Sequence, residues 1–280
     1  MSDKASDLVT IVTGANTGIG KATALELARR GYRTFIACRS LDKARAAADE
    51  IRATVPGATV DVLELDLGSL ASVRQAAATF LETGLPLPLL VNNAGVAGQR
   101  GLTKDGFELH FGTNHLGHFL FTMLLLPRIV QSAPARIVNV SSGSHYQAKG
   151  IDFDRLRDST RSITGLPEYE VSKLANVFFT QELAERLKDK GVTTYAVHPG
   201  TVASDAWRRI PWPIRSLITM GMISNEEGAK TSLHCATSEE AGRETGLYYD
   251  KCKPKKASRV AADLELSRRL WRASEEWVGL

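Results

Sequence analysis

The sequence predicts an α/β fold, a doubly wound parallel sheet of about seven strands with helices on both faces. Three observations predict it. Short β-branched runs alternate with helical runs at intervals that suit strand–helix–strand units. A glycine-rich turn, Thr13 to Gly20, joins the first such run to the first helix. No internal repeat or low-complexity linker interrupts the 280 residues, so one domain spanning 1–280 is expected.

Leu8 to Thr13 is apolar, reads as a strand and stops at Gly14, and an alanine-rich helix follows from Gly18 to Arg30, ended by Gly31. Arg33 to Cys38 forms the second strand and Asp42 to Ala53 the second helix. Val60 to Leu65 is the third strand, Ser69 caps a helix through Phe80, and Leu87 to Val91 is a buried fourth strand. A long helix is expected over Gly106 to Val130, a fifth strand over Arg136 to Val140, an amphipathic helix over Tyr169 to Lys190 and a sixth strand over Val192 to Val197. Two stretches break the rhythm. Gly143 to Glu168 is polar and irregular, and Thr201 to Asn225 carries Trp207, Trp212, Ile214, Leu217, Met220 and Met222 without clear periodicity. Both follow carboxyl ends of strands, where open α/β sheets bind ligands, and the second reads as a substrate lid.

Composition narrows the function classes. With 43% hydrophobic and 24% charged residues the chain can bury a full core and is neither disordered nor fibrous. A net charge of +4 with acidic residues interspersed offers no continuous basic face for nucleic acid. Cys38, Cys235 and Cys252 form no Cys-x-x-Cys and leave an odd count, which suits a reducing compartment and neither a disulfide framework nor a zinc site. Met1 to Asp7 is polar, unlike a targeting peptide, and no apolar run reaches the ~18 residues of a membrane span. A soluble, cytoplasmic protein with no transmembrane anchor is expected.

The chemistry centres on Tyr169-Glu170-Val171-Ser172-Lys173. Tyr169 and Lys173 stand four positions apart on one helical face. A phenol titrates near ~10, and bringing it to neutrality takes roughly 4 kcal/mol, within reach of a lysine plus a cationic nicotinamide in a dry site. Tyr169 could then exchange a proton with a carbonyl or alcohol oxygen, although the same spacing also occurs by chance in many helices. In TGANTGIG, Gly14 permits the tight turn, while Gly18 and Gly20, with Asn16, Thr17 and Ile19 between and before them, let backbone amides approach a pyrophosphate. An acidic residue at the end of the second strand would hold the ribose hydroxyls of NAD. Here stand Arg39 and Ser40, with Lys43 a turn on, suited to a 2′-phosphate, so NADP(H) is expected over NAD(H).

With TGANTGIG, Asp66-Leu67, Asn92-Asn93-Ala94-Gly95, Asn114, Ser141-Ser142, Tyr169-x-x-x-Lys173 and His198-Pro199-Gly200 in this order, the chain resembles short-chain dehydrogenase/reductases of the classical type, over Leu8 to Asp250. Lys173 to Leu187, Val192 to Gly200 and the tail GLYYDKC resemble the retinol dehydrogenase branch, which oxidises or reduces lipophilic alcohols, aldehydes and ketones. The resemblance implies a Rossmann-type fold and residue roles. Asp66 and the Leu67 amide would meet the adenine; Asn93, Ala94 and Gly95 would line the adenosine ribose side. Lys173 would also hold the nicotinamide ribose, and Pro199, Gly200, Val202 and Ser204 would approach the carboxamide. Ser142 would donate to the substrate oxygen, with Ser141 the competing candidate, and Asn114 would bind a water leading from Lys173 to solvent.

Two departures stand out. The 27 positions from Ser142 to Tyr169 exceed the connection of minimal members, and in carbonyl reductases such extra chain covers the helices through which other members pair. Oligomeric state is therefore not carried over from the resemblance, and a monomer or a homodimer is expected. The second departure is that no amino-terminal membrane anchor, common among animal retinol dehydrogenases, is expected. His115 and His118 suggest packing or capping rather than a metal, and His145 could line the substrate pocket. Arg208, Arg209 and Arg215 could meet an anionic substrate tail or acidic lipid. The reading is an NADP(H)-dependent oxidoreductase acting on a lipophilic carbonyl or alcohol, with no metal. Its alternatives are a dinucleotide-binding sensor or scaffold, a non-redox cyclase or dehydratase of secondary metabolism, and light-driven protochlorophyllide reduction.

Overall fold

The computed structural model describes residues 8–200 and 223–280; the expected lid, with Val202 and Ser204, falls almost wholly outside them, as do residues 1–7. Among the described residues eight strands form one sheet: β1 (Val9–Thr13), β2 (Arg33–Cys38), β3 (Val60–Glu64), β4 (Leu89–Asn92), β5 (Ala135–Val140), β6 (Val192–His198), β7 (Leu247–Asp250) and β8 (Lys253–Pro254). Their order is β3-β2-β1-β4-β5-β6-β7-β8, parallel except for the β7–β8 pair. The order reverses between β1 and β4, which opens a crevice at their carboxyl ends, where such sheets place ligands.

Among the described residues seven α-helices accompany the sheet: α1 (Gly18–Arg29), α2 (Leu41–Thr54), α3 (Leu70–Glu82), α4 (Gly117–Gln131), α5 (Leu166–Arg186), α6 (Asn225–Thr237) and α7 (Leu264–Val278). Strand alternation sends side chains to two separate cores. Ile11, Phe35 and Ile137 pack with α3, α4, α5 and α7, whereas Val12, Ile36 and Val138 pack with α1, α2 and α6. All six are buried, and the strands read as apolar throughout because both faces are covered.

The helix expected over Gly106 to Val130 begins later. Gly106 takes φ +75° in a turn, and Leu102 bridges Glu108, whose carboxylate accepts the His110 and Phe111 amides at 2.8 Å each and so caps the helix start. A π-helical turn over Phe111–Leu116 then leads into α4. Gly117 marks the joint, because a Cβ there would meet the Leu67 carbonyl oxygen at 2.4 Å, so helix and β3 loop close on one another through a bare backbone. The helix expected from Tyr169 starts at Leu166, behind Gly165 at φ +67°, and stops at Arg186.

The connection 143–168 is more ordered than its composition suggests. It holds short 3-10 turns over Gly143–Tyr146 and Phe153–Arg155. Glu108 ties it down: its amide donates to Leu156 O at 2.8 Å and its carboxylate accepts from the Thr160 hydroxyl. The outer face of α5 is covered by α7 instead. Trp271 stacks on Phe179 with centroids 5.9 Å apart and meets Phe119 edge-on at 5.0 Å, under the Arg186 guanidinium. Trp271 is buried, so Trp271→Ala is expected to destabilise the fold by about 3 kcal/mol or more in a denaturant titration.

Candidate active site

The glycine turn sits at the carboxyl end of β1. Gly14 and Gly18 take φ +66° and +59°, and the Gly14 amide donates to Ala37 O at 2.7 Å. Gly20 is needed for a different reason from the one its spacing suggests. A Cβ there would lie 2.4 Å from Asn93 Nδ2 and 2.6 Å from Gly14 O, so the protein's own atoms occupy that space. Asn93 Nδ2 donates to Thr13 O at 2.8 Å, while the Asn93 and Ala94 amides donate to the Thr13 hydroxyl at 2.9 Å each. The loop after β4 is thereby fixed on the turn. Thr13 is a residue that sequence reasoning missed, since a threonine ending a β-branched strand carries no signal of its own.

Tyr169 and Lys173 lie in the first turns of α5, beside the end of β5. Lys173 is buried, donates to Val140 O at 2.9 Å, and has its Nζ 5.6 Å from the centroid of the Tyr169 ring. Burial brings the ammonium down to about 8, so it stays mainly protonated at neutral pH. The Tyr169 phenol differs from expectation. Burial holds it above its ordinary value, against a smaller lowering by the Ser142 hydroxyl. The chain's own groups therefore keep it protonated.

The two adjacent serines separate cleanly. Ser141 is buried and donates to Lys173 O at 2.7 Å, which consumes its proton on the helix backbone. Ser142 is the serine whose hydroxyl acts on the Tyr169 phenol; its Oγ accepts the Ser144 amide at 3.1 Å and donates to Ser144 Oγ at 3.2 Å. His145 steadies this turn by donating through Nδ1 to Ser142 O at 2.7 Å, while its Nε2 accepts the Ser258 amide at 3.0 Å.

Asn114 stands within the π turn, a feature that recurs at functional sites because it re-aims one residue. Its Oδ1 accepts Val96 N at 2.8 Å, and its Nδ2 donates to Val96 O and to Ser172 Oγ, both at 3.0 Å. Ser172 donates in turn to Tyr169 O at 2.7 Å. A Cβ on Gly95 would meet Asn114 Oδ1 at 3.2 Å and Lys173 Nζ at 3.5 Å, so these three converge. Ser172 also went unrecognised from sequence, although it lies inside the pentad.

The remaining candidates are arranged around the crevice. Arg39 is exposed and Ser40 is the N-cap of α2, yet its hydroxyl caps nothing, and Lys43 is exposed one turn on. Asp66 Oδ1 accepts the Gly68 amide at 3.1 Å and Oδ2 pairs with Lys104 at 3.1 Å, while Leu67 is buried. Asn16, Thr17 and Ile19 lie in the turn and the start of α1. Pro199 and Gly200 follow β6, and Gly200, at φ +89°, faces Ile223.

Comparison with known proteins resolves what this arrangement belongs to. A family profile for short chain dehydrogenase matches residues 8–151. Retinol dehydrogenase 12 of Mus musculus is 47% identical over 278 residues, covering 97% of this chain and 86% of that protein. The chain belongs to the short-chain dehydrogenase family. Within it the resemblance to the retinol dehydrogenase branch holds, as retinol dehydrogenase 13 of Homo sapiens is 46% identical over 96% of the chain and 84% of its own length. Actinorhodin polyketide ketoreductase, solved with NADPH, is 26% identical with a TM-score of 0.69, over 89% of this chain and 96% of that one. This short-chain dehydrogenase is thus a hydride-transferring oxidoreductase of the nicotinamide dinucleotide type. The left-handed Gly14 and Gly18 at a strand–helix junction suit the pyrophosphate of that group. Among the described residues no helix is long and apolar enough to cross a membrane.

His115 and His118 are buried, and burial holds their imidazoles down at about 3 and about 4. Unfolding exposes them to protons near pH ~6.5. Between about pH 6.5 and 4 the unfolded chain binds more protons than the folded one, so stability falls as pH falls, and the contribution is fully present above that window. Denaturation midpoints should be level above pH ~7 and decline below ~6.5, by up to ~1.4 kcal/mol per pH unit for each histidine. A midpoint unchanged from pH 7 to 5 would contradict their burial as neutral rings.

Proposed function

We propose that the protein is an NADP(H)-dependent oxidoreductase of lipophilic carbonyl compounds and alcohols, with Tyr169 as general acid/base. The observation that carries this reading is the convergence of Tyr169, Ser142, Lys173 and Asn114 at the ends of β4 and β5. When bound, the dinucleotide supplies or accepts the hydride. Tyr169, kept protonated by burial, donates to the oxygen of a carbonyl, and Ser142 donates a second hydrogen bond to that oxygen as charge develops. Lys173 holds a positive charge near the phenol and stabilises its ionised form after the proton has left. Asn114 fixes the backbone of the loop after β4 and, through Ser172, the backbone of Tyr169 itself. Gly14, Gly18, Asp66, Leu67, Asn93, Ala94 and Gly95 form the walls against the dinucleotide, with Pro199 and Gly200 on the nicotinamide side.

The choice of NADP(H) rests on the start of α2. Arg39 and Lys43 carry no ion pair among the described residues, the Ser40 hydroxyl is unspent, and the helix amides face the same end. That is a donor set for a phosphate. Asp42, in the same turn, leans on Arg45 at 3.5 Å. A lipophilic substrate is supported by the relatives named for retinol, itself a lipophilic alcohol. Three free cysteines are in keeping with a cytoplasmic setting.

Tyr169→Phe should bind NADPH with a dissociation constant within about twofold of the parent and lose turnover by roughly 10²–10⁴-fold across a panel of aldehydes, ketones and quinones that includes retinal. Near-normal turnover would remove Tyr169 from this role. Arg39→Asp should weaken NADPH by about a hundredfold while sparing NADH. Equal Michaelis constants for both dinucleotides, unmoved by the substitution, would end the NADP(H) assignment.

A further inference from the structure

We propose that His118 is a positioning residue of the reaction centre, whose imidazole couples the dinucleotide-binding turn to the main-chain carbonyl of Asn114. The inference rests on the site assignment above and adds a residue to it. His118 Nε2 lies 2.9 Å from Thr13 Oγ1 and Nδ1 lies 3.0 Å from Asn114 O, with the ring buried.

Counting donors leaves one arrangement. A carbonyl oxygen only accepts, so Nδ1 carries the ring proton and donates to Asn114. The Thr13 hydroxyl already accepts the Asn93 and Ala94 amides at 2.9 Å each, which fills both of its acceptor positions. Its single proton therefore goes to Nε2. The chain of bonds runs one way: from the β4 loop amides to Thr13, from Thr13 to His118, and from His118 to the π turn.

A protonated ring cannot be placed here. Its second N–H would point at a hydroxyl with no free lone pair, and burial together with the nearby Lys173 charge opposes the cation. An apolar side chain of the same size would fill the space but leave the Thr13 proton and the Asn114 carbonyl without this partner, each a buried polar group. What separates His118 from an ordinary packed histidine is where its two bonds end. One ends on the residue that gathers the turn and the β4 loop; the other ends on the residue whose side chain holds Val96 and Ser172.

Two substitutions cut the coupling at different bonds. Asparagine places its amide nitrogen where Nδ1 was, and glutamine places its amide end where Nε2 was. His118→Asn should keep the bond to Asn114 and lose Thr13, raising the NADPH dissociation constant about tenfold with kcat within about threefold. His118→Gln should keep Thr13 and lose Asn114, with NADPH binding within about twofold and kcat lowered about tenfold. NADPH binding is read by fluorescence titration and kcat with retinal at saturating NADPH. Parallel losses in both variants, or no change in either, overturn the proposal.

Where either variant fails to fold by circular dichroism, Thr13 gives the same test from the other side. Thr13→Val should weaken NADPH, and the double variant Thr13→Val/His118→Asn should be no weaker than Thr13→Val alone; additive losses overturn the coupling. Tyr169→Phe, assayed alongside, tells the two failures apart. Turnover surviving in Tyr169→Phe sinks the site assignment, whereas an inactive Tyr169→Phe with His118 variants that behave alike sinks only the role of His118.

Discussion

The site depends on how the first turns of α5 are locked to the end of β5. Lys173 Nζ donates to Val140 O, Ser141 Oγ donates back to Lys173 O, and Asn176 Nδ2 reaches the same Val140 oxygen at 3.2 Å. These bonds are made in a buried setting, where an unsatisfied group costs about 1–3 kcal/mol, so strand and helix cannot drift apart cheaply. Their effect is to hold Tyr169 beside Ser142 with its ring near a cation. Ser142 is steadied in turn by His145, which borrows its other partner, the Ser258 amide, from the carboxyl-terminal segment.

Among the described residues the buried side of the crevice carries one cation. Lys173, at about 8, keeps its charge, while His115 and His118 are pushed well below neutrality and contribute none. The neutral rings act as directional hydrogen-bond connectors, and they leave the Lys173 charge without a like charge next to it. Burial raises the phenol and lowers the ammonium, which moves the two apart, so within the chain's own groups Tyr169 holds its proton while Lys173 keeps its charge.

The helices that carry Asn114 and Tyr169 are backed by the end of the chain. Trp271 and Trp277 of α7 pack against Phe119, Phe179, Phe111 and Phe107, and His115 reaches Ser274 at 3.1 Å. The long connection before α5 is held by Glu108, which at the same time caps the start of the π turn. Loop, π turn and terminal helix are thus one packed unit, and the rigidity of the candidate site comes from behind it.

The amino-acid sequence by itself determined the strand–helix alternation, the glycine turn and the pairing of Tyr169 with Lys173. Each is local: β-branched runs, left-handed glycines and an i,i+4 helical spacing act within a few residues. Six of the eight strands were legible for this reason, whereas β7 and β8 are short and draw their identity from the neighbours they pair with. Which of Ser141 and Ser142 faces the phenol, why Gly20 lacks a side chain, where the fourth helix starts and which way Tyr169 titrates were decided only by tertiary structure. Those outcomes turn on contacts between residues distant in sequence, such as Thr13 with His118 and Leu67 with Gly117, and on burial, which no spacing along the chain encodes.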